Sequence, residues 1–571
     1  MPDARAIYAV SAFRSLPRLL SLLDRNPLSP TYGCFHRDYW LYRTSDFPDA
    51  VRQFGVHALA LAYAADLPPN PYRGNAQIRR WAIAALDFWA TIQHADGSCD
   101  EFYPFERGWV GPTAFTTYTS SESLRLLGAE VPTAVGKRVK TAIRRAAQFI
   151  AAGEAEHDHL ANHHAMAFLA VSTAADVLND DEIRAGLPKL FDGFLRYCTA
   201  EGWCLEYDGA DPGYLSATVS FLGKVYARHP SPELREVLEK AVEFCSYFVY
   251  PDGSYAGMLG SRNTLHFYPH GFELLAPEIP LAASVANRMA SALAEGKLVP
   301  PEIMSDRYVH YRVPEFLLAA LETRPRPATL TPLPYQRAPF VRVFPHAGMT
   351  AAAHGPAYTV ANLAKGGVVK SFEREQGRLL INDSGWVGTL EDGRTVTSQW
   401  IDPHYTQNIQ ENSWTVRGQL RVVPSAKPFT LWTHLAFRLA LALVGWSPRA
   451  AHWLKTWIRK SLILDSRPVA CMFERRIELS KTQLKITDEL QSDVQFRQLL
   501  LGGELPVRYV PQSRFFQPHE LESRSRILSD EELARVNAGE LFQSVRTIDV
   551  ETPQERTAAE EEPANLHVPS F

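Results

Sequence analysis

Arg324-Pro-Arg-Pro-Ala-Thr-Leu-Thr-Pro-Leu-Pro334 divides the chain into two textures. Four prolines in eleven residues fit no helix interior, so the segment is read as a linker, placed at 326–336. Before it, apolar residues recur at three- and four-residue steps through 50–66, 75–93, 134–153, 159–178, 183–199, 213–228, 232–249 and 279–296, the period of amphipathic helices. After it come short alternating runs at 340–344, 358–362, 367–372, 378–381, 413–416, 419–423, 471–479 and 483–488, punctuated by Gly and Asp, which is a β-sandwich signature. The chain is therefore a multidomain α+β protein. A helical domain over 1–325 precedes the linker, and an antiparallel sandwich follows over 337–552. The tail at 553–571 is Glu-rich, has few large apolar residues and is expected to be disordered.

Within the helical half, Asp96-Gly97-Ser98, Glu201-Gly202-Trp203 and Asp252-Gly253-Ser254-Tyr255 form a loose repeat at about fifty residues or multiples of it, each after a helix ending in aromatics. Helical hairpins at such a period suggest a closed or open ring of paired helices.

Bulk properties exclude several classes. The 571 residues suffice for two or three real cores. The net charge of −4 supplies no global basic field, so no nucleic-acid partner is expected. Six cysteines lie scattered without a CxxC pair, which is neither a disulfide framework nor a zinc ribbon and fits a reducing compartment. The start, Met1-Pro-Asp-Ala-Arg-Ala-Ile7, has no basic segment leading into an apolar run, so no secretory signal is read and a cytoplasmic location is expected.

One stretch breaks the β pattern. From Lys427 to Lys460 there are six Lys or Arg and no acid, together with Trp432, Trp446, Trp453 and Trp457. The insertion at 427–464 is too short and too charged to span a bilayer, which takes about 20 apolar residues. Basic residues and Trp on two short helices suit the headgroup layer of an anionic membrane, here the inner one; the alternative is a hairpin packed on the sandwich.

The chemistry-bearing residues cluster. Asn162-His163-His164 sits at a helix start, after His157 and His159, whose spacing to His163 also admits a helical metal-ligand pair. Asp208-Gly-Ala-Asp211-Pro-Gly-Tyr214 exposes a phenol at a helix entry, and a phenol acts as a base only if cations or amides stabilise the phenolate; Arg262 and His163 are candidates for that. Arg262-Asn263-Thr-Leu-His266-Phe-Tyr268-Pro-His270 completes the set. Amide, imidazole and phenol are what removal of a hydrogen next to a carboxylate requires, with a proton delivered to a leaving sugar oxygen. Asp100, Glu101, Glu206, Asp208 and Asp211 would be the carboxylates of a glycoside hydrolase instead.

The order Asn-His, then Asp-Pro-Gly-Tyr about fifty residues later, then Gly-Ser-Arg-Asn and His, then a sandwich, resembles the heparinase II/III-like polysaccharide lyases and related alginate lyases, over roughly residues 30–550. Tyr32-Gly-Cys-Phe-His-Arg-Asp-Tyr-Trp40 and Asp96-Gly-Ser-Cys-Asp-Glu-Phe-Tyr103 are similar to members associated with exopolysaccharide genes. The resemblance implies an (α/α) toroid joined to an antiparallel β-sandwich and β-elimination on a uronic-acid polymer. It implies that Asn162 binds and neutralises the uronate carboxylate, that His163 assists or acts as one base and that Tyr214 is base and acid. His164, Asp208, Asp211, Arg262, Asn263, His266 and His270 would hold the substrate, an acidic polysaccharide or lipid-linked glycan. No cofactor is implied. The family's sandwich zinc would need a His about seventeen residues before Asp383, where this chain has Lys365, so no metal is expected. Two further readings stand beside the lyase. A uronate C5-epimerase would act on a nascent glycan by the same proton abstraction, and a non-catalytic glycan-binding or assembly factor would keep the toroid as a scaffold.

Overall fold

A computed structural model describes residues 3–102, 110–153, 160–424, 430–445, 447–460, 466–505, 507, 516, 521 and 525–550. The ring expected from the repeat is closed. Six helices contact one another in a cycle: Gly55–Ala64, Val110–Leu127, Ala161–Leu178, Pro212–Tyr226, Pro269–Leu275 and Val309–Leu321, the last returning to the first. Ala4–Leu22, Ala76–Ile92, Thr133–Ala152, Leu187–Leu195, Pro232–Ser246 and Pro280–Ala294 form an outer layer. The N-terminal helix closes the outside by packing on the C-terminal pair: Tyr8 meets Phe316 edge to face at 5.8 Å, and Tyr8 Oη donates to Ala286 O at 3.5 Å.

Sequence follows position. Outer helices carry one apolar stripe, as in Thr133–Ala152, which buries Val139, Ala142, Ile143, Ala146, Ala147 and Ile150. Inner helices are covered all round. Val110–Leu127 is buried over almost its whole length although it is rich in Thr and Ser, and the hydroxyls of Thr116, Thr119 and Ser123 bond back to carbonyls one turn earlier.

The repeat loops are one turn used three times. Gly97, Gly202 and Gly253 have φ of 93°, 91° and 91°. Their N–H groups donate to His94, Thr199 and Tyr250, three residues earlier, at 3.0, 3.1 and 3.0 Å. Each glycine presses on the next outer helix: a Cβ would fall on the Arg145 carbonyl at Gly97, on the Lys240 carbonyl at Gly202, and 2.7 Å from the Arg288 guanidinium at Gly253. Gly33 (φ 96°) makes the same approach to the Ala84 carbonyl. The Gly202 turn also brings together Cys198 and Cys204, scattered in sequence, as free thiols with Sγ atoms 2.7 Å apart.

The sandwich has two antiparallel sheets. A five-stranded meander runs in order through Phe340–Phe344, Met349–His354, Ala357–Asn362, Val368–Glu373 and Leu379–Asp383. It is buried on both faces: Tyr358, Val360 and Phe372 join the toroid core, whereas Ala352, Ala361 and Val369 join the core between the sheets. The nine-stranded sheet, centred on Ser413–Val422, Pro468–Leu479 and Gln483–Ser492, alternates buried and exposed residues as a half-solvated sheet does. Between the sheets Asp383 pairs with Arg475 (2.8 Å) and Arg546, and Asp488 with the same two arginines at 2.7 and 2.6 Å.

Lys365 locks the two domains. Its fully buried ammonium donates to Met258 O at 2.8 Å, Gly260 O at 2.7 Å and Asn263 Oδ1 at 2.5 Å, all in a toroid loop. Asn362 Nδ2 donates to Leu259 O in the same loop at 2.7 Å. The expected insertion is a helical hairpin, Leu431–Val444 and Pro448–Arg459, and among the described residues no helix is long and apolar enough to cross a membrane. The tail expected to be disordered lies outside the described residues.

Three outcomes follow from this architecture. Gly202→Ala should lower unfolding free energy by about 2 kcal/mol or more in a denaturant titration, because a Cβ is disfavoured at that φ and strikes the Lys240 backbone. Lys365→Met strands three buried acceptors and should cost about 3 kcal/mol by the same measurement. Inside the ring, burial raises the Glu315 carboxyl, but Lys224 at 2.8 Å, His270 and the Ser220 hydroxyl outweigh it and hold Glu315 at about 2 instead of 4.5. That stabilisation is present above the unfolded-state value and is lost as pH falls from 4.5 towards 2, so Glu315→Gln should flatten the stability–pH curve in that window.

Candidate functional site

The inner helices all start at the same end of the ring, and three of the loops leading into them are stitched together there. Asn162 is the second residue of Ala161–Leu178; its N–H donates to Glu206 Oε1 at 2.6 Å and its side-chain Nδ2 to Glu206 Oε2 at 2.8 Å. Glu206 lies in the small hairpin Leu205–Glu206/Gly209–Ala210, which also bridges Leu160. From the third loop, Ser261 N donates to Ala210 O at 2.9 Å and Ser261 Oγ to Glu206 O at 2.8 Å. Asp211 caps Pro212–Tyr226: Oδ1 accepts from Tyr214 N at 3.1 Å and Oδ2 from Arg262 N at 2.9 Å. Asn162, Tyr214 and Arg262 thus come from separate hairpins to one junction.

Strain marks the same place. Of the five non-glycine residues with positive φ among the described residues, Tyr207 (65°), Ala256 (50°) and Asn263 (55°) are in these two loops. Tyr207 holds its ring 4.5 Å from the Arg262 guanidinium and 6.4 Å from the Tyr214 ring.

Rings continue across the cleft. His266 stacks on Tyr308 at 6.1 Å, Tyr308 lies 5.5 Å from Tyr311, Tyr311 meets Phe115 edge to face at 5.3 Å, and Phe115 meets His163 at 5.5 Å. Tyr207, Tyr214, Tyr308, Tyr311, Phe115 and His163 are all half-buried. They form a partly exposed aromatic wall at this end of the ring, and this face is the cleft. Arg307, held by Asp49 at 3.0 Å and Glu101 at 2.5 Å, sits beside Tyr308 and over Phe102.

The electrostatics favour protonated acids. Burial raises the Glu206 carboxyl well above its ordinary value, against the two Asn162 donors, and raises Asp211 in the same way. Burial, with Tyr207, Tyr308, Glu206 and Asp211 around it, also raises the Tyr214 phenol well above 10. The phenolate expected from the nearness of Arg262 and His163 is therefore not the favoured form; Tyr214 stands as a neutral proton donor.

The other expected residues divide. Asn263 faces Lys365, and Asp208 is half-buried at the tip of the small hairpin. His164 points to the outer layer, stacked on Tyr197 at 4.7 Å. His270 lies deeper, its Nε2 2.7 Å from Glu322 and its N–H bonded to Glu315, as part of the ring's ion network rather than the cleft. Among the hydrolase carboxylates, Glu206, Asp211 and Glu101 are committed as above and Asp100 pairs with His94 at 2.9 Å. His157 and His159 lie outside the described residues. The family's sandwich zinc does not fit: Asp383 is taken up by Arg475, Arg546 and the Gly385 N–H, and Lys365 stands where a His would be needed. Among the described residues no group of three His, Cys, Asp or Glu is placed to hold a metal.

Tyr207 and Tyr308 carry no sequence signal for this site, and the sequence offers Glu206 only as a hydrolase carboxylate. A carboxylate eight residues before Tyr214 was visible, but its pairing with Asn162 is a tertiary contact.

No protein-family model and no curated protein matches the chain. Solved structures do. A Paenibacillus xanthan lyase aligns with a TM-score of 0.51 and 11% identity over 88% of this chain and 46% of its own, so this chain spans less than half of that protein. A Streptomyces coelicolor A3 chondroitin AC lyase, solved with chondroitin sulphate, aligns with a TM-score of 0.52 and 9% identity over 88% of this chain and 69% of its own. Heparinase III covers 95% of this chain and 89% of its own at 10% identity with a TM-score of 0.43. The fold assignment rests on the first two: the chain has the α-toroid and antiparallel β-sheet fold of polysaccharide lyases.

Proposed function

We propose that the protein is a polysaccharide lyase that cleaves a uronic-acid-containing polysaccharide by β-elimination. The observation that carries this reading is the junction of Asn162, Tyr214 and Arg262 beside a half-buried aromatic wall that ends at His163. The C5 hydrogen of a uronate is poorly acidic while its carboxylate keeps full charge. Asn162 and Arg262 are each only 3% exposed, and one Asn162 amide N–H is held by Glu206; its second N–H and the Arg262 guanidinium supply the donors for the carboxylate, which stabilise the enolate as it forms. His163 takes the C5 proton. The C4–C5 double bond forms as the C4–O bond breaks, and Tyr214, neutral in its surroundings, gives its proton to the leaving oxygen. The aromatic wall orients the sugar rings.

Incubation with uronate polymers, followed by ultraviolet absorbance of the unsaturated product, tests this. Tyr214→Phe and His163→Ala should each lower the rate by about 10²–10⁴-fold with unchanged circular dichroism. Deuterium uptake at C5 without chain cleavage would assign a C5-epimerase instead, since that reaction shares the abstraction and differs in where a proton returns. Wild-type-like behaviour of both variants in the cell would leave a non-catalytic glycan-binding role.

A further inference from the structure

We propose that the helical hairpin Leu431–Arg459 is an interfacial anchor that docks the protein on the surface of an anionic bilayer. Leu431, Leu435, Leu439 and Leu443, at four-residue steps on the first helix, are 67%, 51%, 61% and 72% exposed. Trp432 beside them is 76% exposed, and Trp453 and Trp457, one turn apart on the second helix, are 66% and 58% exposed. These are seven of the seventeen large apolar side chains exposed among the described residues, so they form a patch and not the ordinary scatter of surface apolar groups.

Among the described residues the body of the protein leaves this face exposed, because the hairpin already uses another. Leu441 and Ala451 are buried, and Arg438 is turned towards the toroid, ion-paired with Asp46 and 6.0 Å from the Phe47 ring. Asp46 lies three residues before Asp49, the residue that holds Arg307 beside Tyr308, so the hairpin is tied to the segment that leads into the cleft.

Charge selects the occupant. The stretch from Lys427 to Lys460 carries six cations and no anion in a chain whose net charge is −4; Arg438 is taken up by Asp46, which leaves five, of which Arg449 and Lys460 are exposed among the described side chains. A second copy of this net acidic chain would have to offer an apolar face with acidic flanks to match it. A bilayer with anionic headgroups offers both partners at once: acyl boundary for the leucines, headgroup depth for the tryptophans and negative charge for the cations. A helix of 14 residues reaches about 21 Å, short of a hydrocarbon core of about 30 Å, so the hairpin lies in the interface plane. The proposal is independent of the catalytic reading.

Sedimentation of the full chain with vesicles tests it. Phosphatidylcholine vesicles containing phosphatidylglycerol should bind the protein at least tenfold more tightly than phosphatidylcholine alone, and added salt should weaken that binding. Trp453→Ser with Trp457→Ser should reduce binding at least tenfold, and Arg449→Glu with Lys460→Glu should remove the preference for anionic lipid. Brominated acyl chains should quench part of the tryptophan emission of the unmodified protein, a readout that needs no folded variant. Absence of both sedimentation and quenching would overturn the proposal. So would light scattering that shows a dimer dissociated by the tryptophan substitutions, with no lipid binding, since the face would then be covered by a second copy.

Discussion

At Gly33, Gly97 and Gly202 the chain comes so close to the backbone of the following outer helix that no Cβ fits between them, at Gly253 it lies against the Arg288 side chain, and in each case φ is positive. That approach sets the spacing of neighbouring outer helices. It also fixes the direction in which the chain turns inward, because each of these glycines lies in a connection from an outer to an inner helix. The loops that carry Asn162, Glu206, Tyr214 and Arg262 are such connections or follow them, so a backbone constraint at the rim governs the geometry of the cleft. The cross-loop hydrogen bonds of Glu206, Asp211 and Ser261 then hold those loops in one arrangement.

The cleft separates two electrostatic environments within one ring. Deep in the barrel of helices, Lys224, Glu315, His270 and Glu322 satisfy one another, and Glu315 and Glu322 are held at about 2. At the loop end, Glu206 and Asp211 are buried with backbone and amide donors but little cationic compensation, and their carboxyls are raised. A phenol beside them keeps its proton.

The sandwich contributes to the site through Lys365. Lys365 enters the 258–263 loop as a fully buried cation and fixes the backbone from which Arg262 projects. The Asp383 network performs a parallel task between the sheets, where two arginines neutralise two buried aspartates. In both places a protein cation ties together groups that would otherwise be uncompensated in the interior.

The sequence by itself determined the division at the proline-rich linker, the outer helices and the half-solvated strands, because burial on one face leaves a period of 3.6 or 2 in the residues. It also exposed the glycine repeat and the grouping of Asn162, His163, Tyr214 and Arg262. All-round burial did not by itself hide an element, since 159–178, 213–228 and 358–362 were legible, but the inner helix Val110–Leu127, rich in Thr and Ser, and Met349–His354, half of it alanine, carry no periodic apolar contrast and were not legible. Tertiary structure alone decided that the ring closes, that Glu206 engages Asn162, that His164 and His270 turn away from the cleft and that burial raises the Tyr214 phenol above its ordinary value. Each of these depends on which distant side chains share a low-dielectric space, and chain order carries no direct record of that.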